Sequence, residues 1–482
     1  MVYKHGVYVT EQPTSLVVPR TTTAGLQVII GTAPINKAEN PYSCTNVPIL
    51  ITSYKEAVAA IGYSSDYEKY TICQSIGACF QVASVAPVVV INVLDPKKHK
   101  KNLEETTVQL NSGVAVLEKE DVLLDQLVVK AESNALTAGT DYTAAFDDNG
   151  YVNIAVIPGG AADSATSLTV SGVQIDPTAV KATDIVGGVD ASGKETGMEV
   201  IRQIYPLLNM NTGILIAPGW SEDATVAAAL QAKCQNVNGV FSCVCIVDID
   251  SSAAGATKYS NVKSQKEKQA VTSKYCYPVW LYAKVGNTIY AGSAMAAAAT
   301  VANDAENGDI PNVSPSNKVI SISAACLKDG TEVLLDQEQA NVVNSFGVAT
   351  WLNQNGFRLW GNRTAAYPGN TDPKDCWFSV RRFFCWDNNT FINTYFQKVD
   401  DPLNKRLIEA LVDSENVRGN SFVSRGICAR YELQYIESEN PTTALLGGTI
   451  TFHKYMSPFN PAEDIEEIVE FDPNVISTAL AG

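Results

Sequence analysis

Histidine is nearly absent from this chain: 3 in 482 residues, at positions 5, 99 and 453. A Ser-His-Asp or Cys-His centre would have to recruit one of them. His5 sits in an extended opening segment and His99 in the basic run DPKKHK, and all three look exposed. The motifs G-x-S-x-G, H-E-x-x-H and G-x-G-x-x-G are also missing, so neither a nucleophilic nor a zinc hydrolase is expected. Eleven cysteines are present without one C-x-x-C pair, which leaves no zinc pattern. Long apolar runs are missing: APVVVINVL and AMAAAATVA are far too short to cross a membrane. The opening MVYKHGVYVTEQP has no apolar core, so no secretory leader and no membrane insertion are expected, and the chain reads as soluble in a cytosol. A basic excess is lacking as well. With 35 basic and 51 acidic residues the net charge is -16, which argues against nucleic acid and for a neutral or basic protein surface as partner.

Apolar side chains are plentiful. They make up 46% of the chain against 18% charged, enough for sizeable cores in roughly three domains of about 150 residues. The first 25 residues read as extended, with Val2, Tyr3, Val7, Tyr8 and Val9 before Pro13. Such a segment has no neighbour in sequence to pair with, so it must pair with a distant strand or another molecule. LQVIIGTAP, PILITS and APVVVINVLD then read as buried strands, and YKEAVAAIG as a helix ended by Gly62. Residues 102–184 hold only short strands with turn signals, including a hairpin turn at Asp147–Gly150. Helices return at 196, where Thr196 and Glu199 form a capping box ahead of the stripe Ile201, Ile204, Tyr205 and Leu208. GILIAPG is a strand, and Ser221 caps a helix that turns Val226, Leu230, Cys234 and Val237 inward. FSCVCIVDID is a further buried strand, with Cys243 and Cys245 on one face, and SAMAAAATVANDAENG an alanine-rich helix. PLNKRLIEALVDSEN reads as a helix, followed by strands near 427–436 and 447–454.

The expected fold is multidomain α/β (α+β) with a mainly parallel or mixed sheet. It divides into an extended arm at 1–24, an α/β domain at 25–101 and 185–330, an inserted all-β domain at 102–184, a C-terminal α/β domain at 331–460, and a second extended arm at 461–482. That last arm is acidic and carries Ile465, Ile468, Val469 and Phe471.

Two stretches invite a chemical reading. Asp248 and Asp250 end a buried strand, where paired carboxylates can hold magnesium, but no phosphate cradle accompanies them and capping of the next segment is the simpler role. Gly356 and Gly361 have the spacing of a phosphate loop, yet Asn362 and Arg363 replace its Lys and Ser/Thr. Phe357, Leu359 and Trp360 suit a strand or core turn. The preceding FGVATWLNQN reads as a helix that Gly356 caps, with Gly361 in a turn. Neither nucleotide nor any other cofactor is expected.

The stretch GFRLWGNRT, with Gly356, Phe357, Arg358, Trp360, Gly361 and Arg363, resembles the signature of the contractile tail sheath family. HGVYVTEQP, ILIAPGWSED, the alanine-rich helix followed by PSNK, and FSVRRFF with Arg381 and Arg382 resemble other family segments in the same order over about 450 residues. DIPNVSPSN and PLNKRLIEALVDSEN depart from the family pattern. The resemblance implies a non-enzymatic structural subunit of a virion tail, assembled in the host cytoplasm. Copies stack as hexameric rings or helical strands around a tail tube, meet baseplate and terminator proteins, and contract to drive the tube through a cell envelope. It also implies that both arms add strands to neighbouring copies, through Val2, Tyr3, Val7, Tyr8, Val9, Ile465, Ile468, Val469 and Phe471. Residues after about 330 would face the tube and residues 102–184 would protrude. Arg358 and Arg363 are then expected in structural ion pairs, and Lys405, Arg406, Arg418 and Arg425 are exposed charges that could meet the tube. Most cysteines read as buried apolar residues. Release into an oxidising exterior makes Cys44, Cys376, Cys385 and Cys428 the candidates for disulfides between subunits. Alternative readings are the sheath of a genome-free injection particle, a degenerate NTPase that needs Arg363 for nucleotide, and a surface-layer protein.

Overall fold

The computed structural model describes residues 20, 21, 24–147 and 149–481. Val2, Tyr3, Val7, Tyr8, Val9 and His5 therefore lie outside the described residues.

The body is built on a six-stranded sheet in the order Cys276–Trp280, Val244–Ile249, Ile214–Ile216, Gln27–Gly31, Val88–Asn92 and Pro48–Ile51. Neighbours run parallel except Pro48–Ile51, which runs antiparallel to Val88–Asn92. The strands read as continuous apolar runs because helices cover both faces of a largely parallel sheet. Helix Tyr54–Ile61 ends at Gly62, whose φ of 71° and close approach to the Pro34 carbonyl leave no room for a side chain. The alanine-rich helix Gly292–Glu306 is buried along most of its length, which explains its small residues.

Residues 100–175 form the inserted domain, a seven-stranded sheet with antiparallel neighbours and a core of its own around Leu117, Val152, Ile154, Leu168 and Val170. Its hairpin Tyr142–Phe146/Val152–Val156 turns where Asp147 and Gly150 predicted. A short helix, Ala182–Val186, follows where strands were expected to run to 184. Leu123 and Ile175 belong to the main core and seat the insertion on the body.

Packing does not break at 330. Trp351, Leu359, Ala365, Phe378 and Cys385 join the same core as the central sheet, and Val279 bridges Ala349. A separate small core of Ile310, Phe383, Phe422, Ile427, Cys428 and Tyr431 lies under the helix Lys405–Ser424 and the two-stranded sheet Cys428–Gln434/His453–Pro458. The second strand thus falls later than 447–454.

Several local expectations are corrected. Thr196 makes no cap: its hydroxyl donates to the Gly188 carbonyl, while Glu199 pairs with Lys233. Asp223, accepting from the Thr225 and Val226 amides, caps helix Ala224–Lys233, and Ser221 instead donates to Asp248. Val226, Leu230, Cys234 and Val237 do point inward. His99 is buried at 3% exposure, its Nδ1 accepting from the Asp95 amide at 3.0 Å and its carbonyl accepting from the Asp176 amide at 2.8 Å. The second arm was expected to be extended to 482, but Pro473–Ala481 is a helix and only 459–472 lack regular structure.

Candidate assembly surface

The signature segment is a β-hairpin. Thr350–Asn353 pairs antiparallel with Phe357–Trp360, and the preceding helix Gln337–Ser345 stops before Gly347. Gly356 therefore turns a hairpin instead of capping a helix. Asn355 and Gly356 both have positive φ, 53° and 103°, the conformation an Asn-Gly pair accepts most readily. Gly361 follows at φ 143°, where a Cβ would stand 2.8 Å from the Ala349 Cα. Its carbonyl accepts from the buried Tyr277 hydroxyl at 2.7 Å. The glycines thus serve a tight turn and a close backbone approach. Nothing in this strand–turn–strand arrangement opens a helix N-terminus toward a phosphate.

The P-S-N turn packs on the same hairpin. The Asn317 amide donates to the Leu359 carbonyl at 2.6 Å, and Arg358 donates to the carbonyls of Asn317 and Gln354, both at 3.0 Å. Arg358 is held by carbonyls and makes no ion pair among the described residues, because the turn presents main-chain oxygens and no acid. Arg363 does form the expected pair. Its guanidinium lies 3.5 Å from the centre of the Trp377 ring and donates to both carboxylate oxygens of Glu463, at 3.2 and 3.1 Å from Nε.

Arg381 and Arg382, adjacent on helix Phe378–Tyr395, are both buried. Arg382 makes a two-pronged pair with the fully buried Asp304 of the alanine-rich helix. Arg381 reaches Asp375 at 3.2 Å, in a group that includes Lys274 and Lys374. Asp248 is also buried. It accepts from the hydroxyls of Ser221 and Ser293 and from the Ser293 amide at the start of the alanine-rich helix. Asp248 thus serves a helix distant in sequence and not the next segment; there it is Asp250 that accepts, from the Ser252 amide at 2.9 Å. Among the described residues no group of His, Cys, Asp and Glu is placed to hold a metal ion.

The surface-building unit is the two-stranded sheet and what holds it. Between the sheet and the helices Phe378–Tyr395 and Lys405–Ser424 lies a polar network that sequence reasoning missed. Asp387 and Glu415, both fully buried, accept from Arg418 at 2.6 and 2.9 Å and from Lys454 at 2.8 Å each. The Tyr431 hydroxyl bonds both carboxylates. Two acids face two bases, so the cluster is neutral as a whole. Burial works against the Glu415 charge, but Lys454, Tyr431 and Arg418 outweigh it and hold the carboxyl below its ordinary range. The signal was available: Glu415, Arg418, Gly419 and Phe422 fall on one helical face. Arg418, named above as an exposed charge, is instead part of this network. Lys405, with 89% of its side chain exposed, and Arg406 and Arg425 remain on the surface.

Beyond Pro458 the chain runs without regular structure through 459–472 and is exposed from 462 onward. Ile465, Ile468, Val469 and Phe471 are 86, 80, 82 and 78% exposed. Among the described residues these four large apolar side chains, set in a row of acids, are left uncovered.

The cysteines are all free and all buried, including Cys44, Cys376, Cys385 and Cys428. Burial pushes these four thiols up, to about 11 at Cys44 and about 12 at Cys428, far from the reactive thiolate. In the chain as folded alone, all four thiols lie beneath the surface.

The chain is similar to curated sheath proteins, to one of them over its whole length. The tail sheath protein of Burkholderia phage BcepMu is 27% identical over 494 aligned residues, spanning 100% of this chain and 99% of that protein. The tail sheath protein of Escherichia phage P2 is 26% identical over 291 residues, 58% of this chain and 69% of the phage protein. Among solved structures, a chain of the anti-feeding prophage baseplate superposes with a TM-score of 0.59 at 14% identity, covering 98% of this chain and 100% of that one. A chain of the PVC sheath complex in its contracted state gives 0.57 at 14% identity, with 99% of each chain covered. These two establish the shared fold. No protein-family model matches the chain.

Proposed function

We propose, for a chain that belongs to the contractile tail sheath family and is a structural sheath subunit, that it polymerises around a tail tube and contracts to drive the tube through a cell envelope. The observation that carries this is the exposed C-terminal arm. An extended segment with Ile465, Ile468, Val469 and Phe471 uncovered is unstable in water alone and suited to lie as an added strand on another molecule. The two-stranded sheet Cys428–Gln434/His453–Pro458 is the receiver: both of its outer edges lack a partner strand among the described residues. The N-terminal segment, with Val2, Tyr3, Val7, Tyr8 and Val9, adds a second strand in the same way. Main-chain ladders of this kind join copies while letting the bodies rotate, which is what a contracting lattice requires. Stacked hexameric rings, the tube, baseplate and terminator proteins as partners, and a place in the virion tail complete the reading. Lys405, Arg406 and Arg425 are candidates for the tube-facing surface.

The experiment is negative-stain electron microscopy of the purified chain at rising concentration. Hollow tubes are expected. Removing residues 1–20 or 463–482 should abolish them while circular dichroism stays unchanged. A chain that remains monomeric at every concentration, or tubes that survive both truncations, would overturn the reading.

A further inference from the structure

The C-terminal arm touches the body of its own subunit through a strong contact at its start, between Glu463 and Arg363. Of the acids between 463 and 470, only Glu463 makes an ion pair among the described residues, and its partner is Arg363. The arm otherwise spans an open groove of about 900 Å³ lined by Asn317, Asn341, Asn344, Ile427 and Arg363. Beyond it, residues 464–473 are exposed.

Arg363 is unusually well prepared for this contact. Its guanidinium plane stacks on Trp377 and lies 4.6 Å from the Tyr367 ring centre. A further nitrogen donates to the Cys376 sulfur at 3.4 Å. Backbone bonds fix its neighbours: the Thr364 amide donates to the Cys376 carbonyl at 2.9 Å, and the Phe378 amide to the Asn362 carbonyl at 2.9 Å. A pre-set fork that grips one carboxylate through two nitrogens sets direction as well as attraction. Arg363 has only 16% of its side chain exposed and Glu463 37%, so water screens the pair less than a pair of free surface charges.

We propose that Arg363 is the latch that fixes the path by which the C-terminal arm leaves the subunit. Arg363 holds the arm at Glu463, so that Ile465 and the residues after it project in one direction toward a second copy of this chain. This rests on the arm-exchange reading above. Assembly is faster because the arm does not search all directions before it meets its receiving sheet. Arg363 and Arg358, close in sequence, then have separate tasks: Arg358 ties the hairpin to the P-S-N turn, and Arg363 aims the arm.

The test begins in the monomer. Spin labels on introduced cysteines, Ile468→Cys on the arm and Lys318→Cys on the body, report the arm's position, since the native thiols are buried. A narrow distance distribution is expected for the otherwise unchanged chain and a broad one for Glu463→Gln, which alters only the exposed arm. Arg363→Lys, keeping the charge and losing the fork, should also broaden it. Polymerisation followed by light scattering should slow roughly tenfold in Glu463→Gln, the scale of one charge-assisted bond. It should recover at higher protein concentration. An equally narrow distribution in Glu463→Gln, or an unchanged assembly rate, would overturn the latch. Failure of the unaltered chain to polymerise would instead sink the sheath reading, while the monomer distances would still decide whether Arg363 holds the arm.

Discussion

Gly419 sits in the middle of helix Lys405–Ser424, where an alanine would ordinarily be the better residue. Gly419→Ala should gain about 1 kcal/mol from helix propensity. The surroundings reverse that sign. A Cβ at this position would lie 2.1 Å from the Tyr431 Cδ1, 2.8 Å from its Cγ and 3.0 Å from its Cε1. Carbon atoms rest at about 3.5–4.0 Å, so the ring would have to move by more than 1 Å. Tyr431 is not free to do so, because its hydroxyl is bonded to Asp387 at 2.7 Å, Lys454 at 3.0 Å and Arg418 at 3.2 Å, as well as to Glu415. Overpacking costs about 1–3 kcal/mol, and a stranded buried hydroxyl about 1–3 more. We expect a net local loss of about 2 kcal/mol after the propensity gain. Hydrogen exchange read by mass spectrometry suits a many-domain chain, since no single unfolding midpoint describes it. Amides in 428–434 and 453–458 should exchange roughly 30-fold faster, at about 1.4 kcal/mol per tenfold, while those in 88–92 stay unchanged. In a Tyr431→Ala background the same Gly419→Ala change should become stabilising by about 1 kcal/mol. Slower exchange in the single variant would refute the reasoning, because propensity would then have won.

Lys266 is buried and donates to the carbonyls of Phe346, Ala365 and Tyr367 at 2.6, 2.8 and 3.0 Å, and forms no ion pair among the described residues. Burial lowers it to about 8 from an ordinary 10.5. The unfolded chain therefore binds more protons between about pH 8 and 10.5, and stability of this region should rise with pH across that window. Lys266→Met should flatten the rise relative to the unchanged chain, as measured by exchange of the 361–369 amides; an identical slope in both would exclude Lys266 as its source. A maleimide added to the native subunit should label almost none of the eleven cysteines, and all of them after denaturation. Particles run on non-reducing gels should give monomer, and a ladder of linked subunits would show that assembly brings thiols to the surface. Arg382→Met leaves Asp304 buried without its cation, at a cost of about 3–5 kcal/mol. Soluble yield should fall sharply, and Asp304→Asn in the same chain should recover part of it; recovery greater with Asp304 left intact would contradict this.

Strands were the most legible part of the sequence. Gln27–Gly31, Val88–Asn92, Ile214–Ile216 and Val244–Ile249 are short runs of branched apolar residues, and a largely parallel sheet covered on both faces demands that pattern. The insertion was legible from its turn residues. Errors gathered where two local signals competed. At Gly356 the run FGVATWLNQN reads as a helix, whereas the Asn355-Gly356 dipeptide, a signal left unused, carries the positive-φ requirement of a hairpin. At Ser221 the hydroxyl had a better partner 27 residues away in Asp248, and at Thr196 the Gly188 carbonyl on the paired strand. The polar network was hidden for the same reason: Asp387, Glu415, Arg418, Tyr431 and Lys454 lie on four elements, and no window of sequence contains them together. The arm at 462–472 was legible because its side chains are exposed, so its local pattern is most of its description.

The placement of rigid parts also bears on how a lattice of such subunits could carry load. In the proposed assembly, force enters where arms join, at the sheet Cys428–Gln434/His453–Pro458. From there it must cross to the central sheet, and helix Phe378–Tyr395 provides the bridge. On one side Phe383 packs in the small core and Asp387 anchors Arg418 and Lys454. On the other, Phe378 stacks on Tyr277 with ring centres 4.0 Å apart, and Tyr277 lies on a strand of the central sheet. Asn389 exchanges two bonds with the Ser242 backbone, at 3.0 and 2.7 Å, and Arg382 pins the alanine-rich helix. Each contact is buried or geometrically specific, so the helix transmits displacement instead of absorbing it. The softest element in series is then the exposed arm beyond Glu463. A lattice built this way would deform between copies and keep each body intact, which places the mechanically decisive residues at Arg363 and along 463–472, away from the well-packed cores.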